Sequence, residues 1–163
     1  MKNLIILFAF VAFFFSSYET IFAQNYKRAI GLRLGYPTSV TFKNFLNESH
    51  AIEAYAGTRG WSTYRWFNVA GAYQFHKDIE GVDNLQYYFG AGASVFFWSF
   101  DFDSRFSSTT IGLQGYAGLD YSFDDIPLNI SLDWIPTIYL GSAFTSGFAG
   151  GFGTLGVRYI INE

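Results

Sequence analysis

Few side chains of this 163-residue chain are suited to catalysis or metal binding. The chain has two histidines, His50 and His76, and no cysteine. A nucleophilic triad needs a serine, a histidine and a carboxylate within hydrogen-bond reach, and a zinc site needs several His or Cys ligands. Asp101 and Asp103 are suited to calcium, but the other ligands of a calcium loop are missing. We therefore predict no catalytic residue, no metal site and no cofactor.

A second polar set lies within segments where apolar residues alternate with small ones. Seven charged residues fall on the small-residue side: Arg33, Lys43, Glu53, Arg59, Asp120, Asp133 and Arg158. If residues 47–49 form a three-residue turn, Leu46 faces His50 and Lys43 faces Glu53. Charges in a confined interior must be matched, because an unpaired partner costs several kcal/mol. We predict a polar network around Lys43 and Glu53 that closes the interior to solutes.

Composition narrows the class of protein before any element is assigned. The chain is 22% aromatic and 14% charged, with a net charge of -3. The aromatic content excludes intrinsic disorder, and the acidic balance argues against nucleic-acid binding. The length fits one domain.

The first residues have the layout of a secretory signal peptide. Lys2 precedes an apolar run over 4–15, and small residues lead to Ala23. A helix of that length rises about 18 Å, too short for the roughly 30 Å hydrocarbon core. We predict a signal peptide over 1–23, cleaved after Ala23, and a single mature domain over 24–163.

In the rest of the chain, apolar residues alternate with small or polar ones at a period of two residues, which is typical of strands. Ile30, Leu32 and Leu34, for example, share one face, with Gly31 and Arg33 on the other. Eight such segments are predicted, at 28–36, 39–46, 51–60, 64–76, 85–99, 109–123, 128–140 and 152–162. The uncharged stretch 134–157 could be mistaken for a membrane helix, but it contains six glycines and is assigned to two strands and a loop.

Eight antiparallel segments with short links predict a closed up-and-down barrel, because an open sheet would leave two unprotected edges. The apolar faces are too bulky to fill so narrow an interior, so we expect them to face lipid. Segment lengths fit a membrane barrel, and aromatic residues near segment ends suggest interfacial girdles. Those residues are Tyr36, Trp61, Trp66, Trp98, Phe100 and Phe123, with Tyr73, Phe75, Tyr87 and Phe89 around the turn at 78–84.

Strand count also predicts orientation. With both termini in the periplasm, the polar links at 47–49, 78–84 and 124–127 are periplasmic. The long links at 101–108 and 141–151 then face outward.

The chain resembles the small eight-stranded outer-membrane β-barrel proteins of Gram-negative bacteria. The resemblance is carried by the segments at 29–38, 40–47, 88–93, 124–134 and 156–159. It also extends to a C-terminal assembly signal, which Thr154, Gly156, Tyr159 and Ile161 match, although Asn162 and Glu163 follow where such signals end on an aromatic residue. The resemblance implies a monomeric, multi-pass outer-membrane protein that contacts outer-membrane lipid and, through its last strand, the barrel-assembly machinery.

Three alternatives remain open at the sequence level. Some barrels of this family are lipid-modifying enzymes, but both histidines fall at the periplasmic end rather than the outward rim. The second alternative is a narrow pore of the same fold. The third is a soluble lipocalin-like ligand carrier with its apolar face inside. We favour a structural or surface-exposed role without enzymatic activity.

Overall fold

The computed structural model describes residues 26–61, 64–100, 107–140 and 147–161. The predicted signal peptide and its cleavage site lie outside these residues. The described residues form eight β-strands in chain order: β1 Arg28–Gly35, β2 Thr38–Asn47, β3 His50–Trp61, β4 Tyr64–Asp78, β5 Leu85–Phe100, β6 Ser107–Ser122, β7 Leu128–Leu140 and β8 Gly147–Ile161. No helix in this part of the chain is long and apolar enough to cross a membrane.

The eight strands close into an antiparallel barrel in which each strand pairs with its sequence neighbours and β1 pairs with β8. The closing pair runs in register from Arg28 opposite Ile161 to Gly35 opposite Thr154. Every strand therefore has two hydrogen-bonded neighbours and the sheet has no free edge. The predicted all-β, up-and-down architecture is confirmed.

The barrel has two ends, which we name by what they carry. The terminal end is where β1 begins and β8 ends, together with the links at 48–49, 79–84 and 123–127. The loop end carries the links at 36–37, 62–63, 101–106 and 141–146. Residues 62–63, 101–106 and 141–146 lie outside the described part of the chain, so the structure describes only the strand portions of the predicted outward links.

Local chemistry explains two irregular positions. The Asn47 side-chain oxygen accepts hydrogen bonds from the backbone N–H groups of Ser49 (3.0 Å) and His50 (2.9 Å), which fixes a tight turn. Pro136 lies where the register between β7 and β8 shifts, between Ile135 and Thr137. Proline cannot donate to the ladder, so a strand tolerates it at such an irregularity.

Three sequence-based details were wrong. Asn47, not Leu46, lies opposite His50, because the register shifts between Phe45 and Asn47. The outward links are shorter than predicted: β6 already begins at Ser107 and β8 at Gly147. The glycines near the start of β8 predict a loop, yet strand pairing extends through them, with Ala149 opposite Thr137.

The outer surface of the barrel is an apolar belt. Large apolar side chains from every strand except β3 are exposed on it among the described residues, including Leu32 (51%), Phe89 (54%), Leu113 (48%) and Leu132 (60%). The charged residues of the strand interiors point the other way, into the lumen. Water would penalise such a contiguous surface, whereas hydrocarbon would solvate it, so the belt matches a lipid environment.

The girdle prediction was correct at one end and wrong at the other. Near the terminal end, Tyr73, Tyr87 and Phe89 are exposed on the outside. At the loop end, Trp66 and Trp98 are only 2% and 4% exposed and lie inside the lumen. Tyr36 packs against Trp66, at 5.7 Å between ring centroids, rather than facing outward. Phe123 lies edge-on to Tyr121, and the side chains of Trp61 and Phe100 lie outside the described set.

Introducing a charged residue into the apolar belt tests whether the belt faces lipid. Leu113→Arg is expected to lower the unfolding free energy in lipid vesicles by about 2–4 kcal/mol, because the guanidinium enters hydrocarbon. Urea titration followed by tryptophan fluorescence measures it.

Ile126→Arg is the matched control, since Ile126 is equally exposed (49% against 48% for Leu113) but lies in the link at 123–127. Its effect should stay within about 0.5 kcal/mol. Equal effects of the two substitutions would contradict a lipid-facing belt.

Candidate functional site: a charged network in the lumen

The structure brings six of the seven predicted lumen residues together and leaves one apart. Arg33, Lys43, Glu53, Asp120, Asp133 and Arg158 are each at most 3% exposed. They extend from six different strands toward the barrel axis. We call these six residues the lumen network. Three are cationic and three are anionic, so the network carries no net formal charge.

Glu53, on β3, is the best-connected member of the lumen network. Its Oε1 accepts a hydrogen bond from Arg158 Nη2 at 2.7 Å and another from Thr41 Oγ1 at 2.5 Å. Its Oε2 accepts one from Gln74 Nε2 at 2.7 Å. Arg33 Nη1 lies 3.8 Å from the same carboxylate. Glu53 thus faces two guanidinium groups and two neutral donors at once.

Lys43, on β2, pairs with a different carboxylate from the one that strand register suggests. Its Cα lies opposite that of Glu53, as predicted, but its Nζ lies 2.8 Å from Asp120 Oδ2 across the lumen. Asp120 also accepts a short hydrogen bond from Asn129 and one from the Tyr26 hydroxyl at 3.2 Å. The Lys43 ammonium lies 4.6 Å above the Tyr88 ring.

Arg33 and Asp133 form the part of the lumen network nearest the loop end. Arg33 donates to Asp133 Oδ2 from Nη2 at 2.8 Å and from Nε at 3.2 Å. Thr154 Oγ1 adds a hydrogen bond to the same oxygen at 2.9 Å. The Arg33 guanidinium also lies 4.8 Å from the Tyr55 ring centroid. Charge pairing, hydrogen bonding and ring contact hold this arginine in one position.

Arg59, the seventh predicted member, does not belong to the network. It is exposed at the loop end, with its guanidinium 3.7 Å from the Tyr36 ring centroid. The alternation of residue types in the sequence correctly predicts that Arg59 belongs to the inward-facing row of β3. However, that row leaves the lumen after Gly57, so Arg59 reaches the rim instead.

An apolar cluster closes the lumen at the terminal end. Its members are Tyr26, Ala29, Phe45, Ala51 and Ile160, each at most 5% exposed. Tyr26 packs edge-on against Phe45, with ring centroids 5.0 Å apart. Burial, reinforced by the Asp120 carboxylate, raises the pKa of the Tyr26 phenol well above its usual value. Tyr26 therefore stays a neutral donor at this end of the lumen network.

An aromatic cluster fills the lumen toward the loop end, and sequence reasoning missed it. Its buried rings belong to Tyr55, Trp66, Phe96, Trp98, Tyr116, Tyr139 and Phe152, and the cluster continues toward the terminal end as far as Tyr88, beside Lys43 and His76. The alternation predicts small and polar residues there. The signal that could have revealed it is the run at 95–98, where both faces of β5 are bulky, so that two large side chains must point inward.

Glycines in the facing strands make room for these rings. A Cβ added at Gly118 would come within 2.7 Å of the Tyr88 ring. One added at Gly112 would come within 2.9 Å of the Phe96 ring. Both contacts are closer than packed carbon atoms allow, so glycine is required opposite each ring. Small residues on β6 therefore leave room for the large rings of the adjacent strand β5.

The two histidines lie apart and on different sides of the barrel wall. His76 is 1% exposed inside the lumen and stacks on Tyr88, with centroids 4.7 Å apart. His50 faces outward, where its Nδ1 lies 2.8 Å from the Tyr73 hydroxyl. Within the described ranges, no three His, Cys, Asp or Glu side chains are grouped so that they could hold a metal ion.

The four residues of the predicted assembly signal lie along β8. Thr154 points into the lumen and bonds Asp133, and Gly156 lies against Ser131. Tyr159 is 59% exposed on the outer surface. Ile161 is half-buried opposite Arg28 at the β1–β8 seam. The alternating inward and outward positions on β8 explain the residue pattern of the signal. Recognition of this signal by the barrel-assembly machinery stays a prediction.

Comparison with solved structures identifies the fold. The chain is similar to the N-terminal β-barrel domain of Pseudomonas aeruginosa OprF, with a TM-score of 0.63 and 17% identity, over 85% of this chain and 98% of that one. It is also similar to Neisserial surface protein A (NspA), with a TM-score of 0.61 and 16% identity, over 82% of this chain and 93% of that one. The chain has the fold of a small eight-stranded outer-membrane barrel.

The other two comparisons add nothing to this assignment. No protein-family model matches the chain, and no curated protein matches it. At 16–17% identity the structural likeness establishes the fold alone. Function has to be argued from the belt, the lumen and the rims.

Removing the carboxylate of Glu53 tests the lumen network. Glu53→Ala leaves the guanidinium groups of Arg158 and Arg33 without their shared carboxylate inside the barrel. We expect the unfolding free energy to fall by about 3–5 kcal/mol, measured by urea titration in vesicles.

Arg59→Ala is the control, because it removes a charge that the sequence assigned to the same set but the structure places at the rim. Only its contact with Tyr36 is lost, so the loss should be at most about 1 kcal/mol. A loss for Glu53→Ala no larger than that of Arg59→Ala would refute the network's stabilising role.

Proposed function

We propose that the chain is an integral protein of the bacterial outer membrane with a side-chain-filled lumen and a structural or surface-interaction role. The apolar belt on a closed barrel carries this proposal. A sheet can span hydrocarbon only if it closes, because lipid cannot satisfy the backbone groups of an open edge. A soluble barrel would instead bury its bulky apolar face and expose charge.

The lumen supports a sealed barrel rather than a pore. From the terminal end to the loop end, an apolar cluster, the lumen network and the aromatic cluster follow one another across the interior. An ion crossing would have to separate paired charges in the middle and displace packed rings beyond them. Three layers, one charged and two apolar, therefore oppose conduction.

The positions of the histidines argue against a lipid-modifying enzyme. His76 is enclosed between Phe45 and Tyr88, and His50 contacts Tyr73 and Phe75 on the outer surface. Both lie near the terminal end, which we assign to the periplasm. A hydrolase acting on outer-leaflet lipid would need its histidine at the loop end.

Assembly and interaction then belong to different parts of the chain. The last strand, β8, offers Tyr159 and its alternating pattern to the barrel-assembly machinery before it pairs with β1. The loop end faces outward, so an external partner would meet the barrel at this end. The barrel closes on itself without a second copy, which is consistent with a monomer in contact with outer-membrane lipid.

Cell fractionation with a heat-shift gel tests the location and the fold together. The protein should pellet with outer membranes, and an unboiled sample should migrate differently from a boiled one, because the closed barrel resists the detergent. A soluble band whose migration does not depend on heating would instead support a lipocalin-like carrier.

Planar-bilayer recording tests the sealed lumen. The wild-type barrel should give no steady conductance, and neither should Phe96→Ala, because the lumen network still blocks the passage. Combining Phe96→Ala, Glu53→Ala and Phe45→Ala removes part of each of the three layers and should produce measurable channels. Steady conductance in the wild type would support the narrow pore instead.

A further inference from the structure

The charges of the described residues are separated between the two rims of the barrel. At the loop end, the only formal charges among these residues are the two cations Arg59 and Arg65. The terminal end carries six carboxylates and three cations: Glu48, Asp78, Glu80, Asp83, Asp124 and Asp125, with Lys27, Arg28 and Lys77. The chain is acidic overall, so two cations without a carboxylate among the described residues of this rim are a local feature; Asp101, Asp103 and Arg105 belong to the link at 101–106, outside these residues.

The two arginines border a depression at this rim. Thr38, Thr58, Arg59, Gly60 and Arg65 line it, with a volume of about 570 Å³. That volume falls within the roughly 300–1,000 Å³ typical of small-molecule sites. Strand register brings the lining together, because Thr38 lies opposite Thr58 and Gly60 opposite Arg65. Gly60 has no side chain, so the Arg65 guanidinium meets no bulk from the neighbouring strand.

The depression adjoins the apolar belt directly. Arg65 is exposed and belongs to the outward-facing row of β4, where Phe67 (44% exposed) and Val69 (48%) follow it. Val40, on the outward-facing row of β2, is 55% exposed two residues below Thr38. A molecule with an anionic head in the depression would therefore lay its hydrocarbon on the belt.

The arginines suit a phosphate rather than a neutral headgroup. Guanidinium binds phosphate oxygens through paired N–H donors, which adds both strength and orientation. Arg59 lies with its guanidinium 3.7 Å from the Tyr36 ring centroid. Stacking of this kind occupies the face of the guanidinium and leaves its N–H edge directed away from the ring.

From the cationic rim, its depression and the adjoining belt, we infer that Thr38, Thr58, Arg59 and Arg65 form a binding site for the phosphate group of an anionic membrane lipid. The lipid's acyl chains lie along Phe67, Val69 and Val40. The inference rests on the proposed function, since it requires the barrel to be embedded in a membrane. It places an anionic lipid against the loop end of the barrel.

Native mass spectrometry of the detergent-solubilised barrel tests the site with two lipids of equal chain length. Dioleoyl phosphatidic acid should bind at least about tenfold more tightly than dioleoyl phosphatidylcholine. Arg65→Gln should remove most of that preference, and Arg65→Lys should keep part of it, because the charge remains while the paired donors are lost.

Lys77→Gln is the matched control. Lys77 is an exposed cation on the outward-facing row of the same strand, at the terminal end. This variant should bind phosphatidic acid within about twofold of the wild type. Wild-type binding by Arg65→Gln, or an equal loss in Lys77→Gln, would overturn the site.

Two further measurements separate the alternatives. Millimolar inorganic phosphate should not displace phosphatidic acid, and displacement would mean a site for free phosphate instead. A heat-shift gel on every variant shows whether the barrel is folded. A wild-type protein that fails to fold in detergent contradicts the proposed function, whereas folded variants with unchanged lipid preference contradict only the lipid site.

Discussion

Closure of the sheet is the constraint on which the rest of the structure depends. Hydrocarbon offers no hydrogen-bond partners, so each strand must find two neighbours, and eight strands achieve this with the smallest common barrel. The wall then encloses an interior barely wider than its side chains. That narrowness explains why glycines face Tyr88 and Phe96, and why buried charges are arranged in contact with one another. Outside, the same closure leaves a continuous surface that the apolar residues can cover.

The lumen network follows from that narrow interior. An isolated ion in the lumen would keep almost none of its hydration, and its desolvation penalty would be several kcal/mol. Three cations and three carboxylates remove the net charge, and neutral donors such as Gln74 and Thr41 complete the coordination of Glu53. The aromatic cluster lacks this requirement, because its rings fill space without needing ion partners. Polar and apolar filling are therefore alternative solutions to one packing problem, used at different depths.

The sequence allows much of this to be predicted, and its failures have a physical cause. Backbone geometry gives strands a side-chain period of two. The eight strands, and the inward direction of Arg33, Glu53 and Asp133, could therefore be predicted from the sequence. The predicted Lys43–Glu53 register is confirmed although the predicted turn was wrong, because the shift between Phe45 and Asn47 offsets the shorter turn. The ion partner of Lys43 could not be predicted, since Asp120 lies 77 positions away in the sequence and contacts Lys43 only across the lumen. Trp66 and Trp98 were misplaced for a related reason, because an aromatic residue near a strand end suits either a girdle or a packed lumen.

The ion pairs also indicate when the lumen network contributes to folding. Arg33–Asp133, Lys43–Asp120 and Glu53–Arg158 join residues separated by 100, 77 and 105 positions. Adjacent hairpins can form from local pairing, but none of them places two members of such a pair within reach. Only when β1 meets β8 do the strands on opposite sides of the lumen come face to face. The network therefore stabilises the closed barrel specifically, because an open sheet with the same hairpins would lack these three ion pairs.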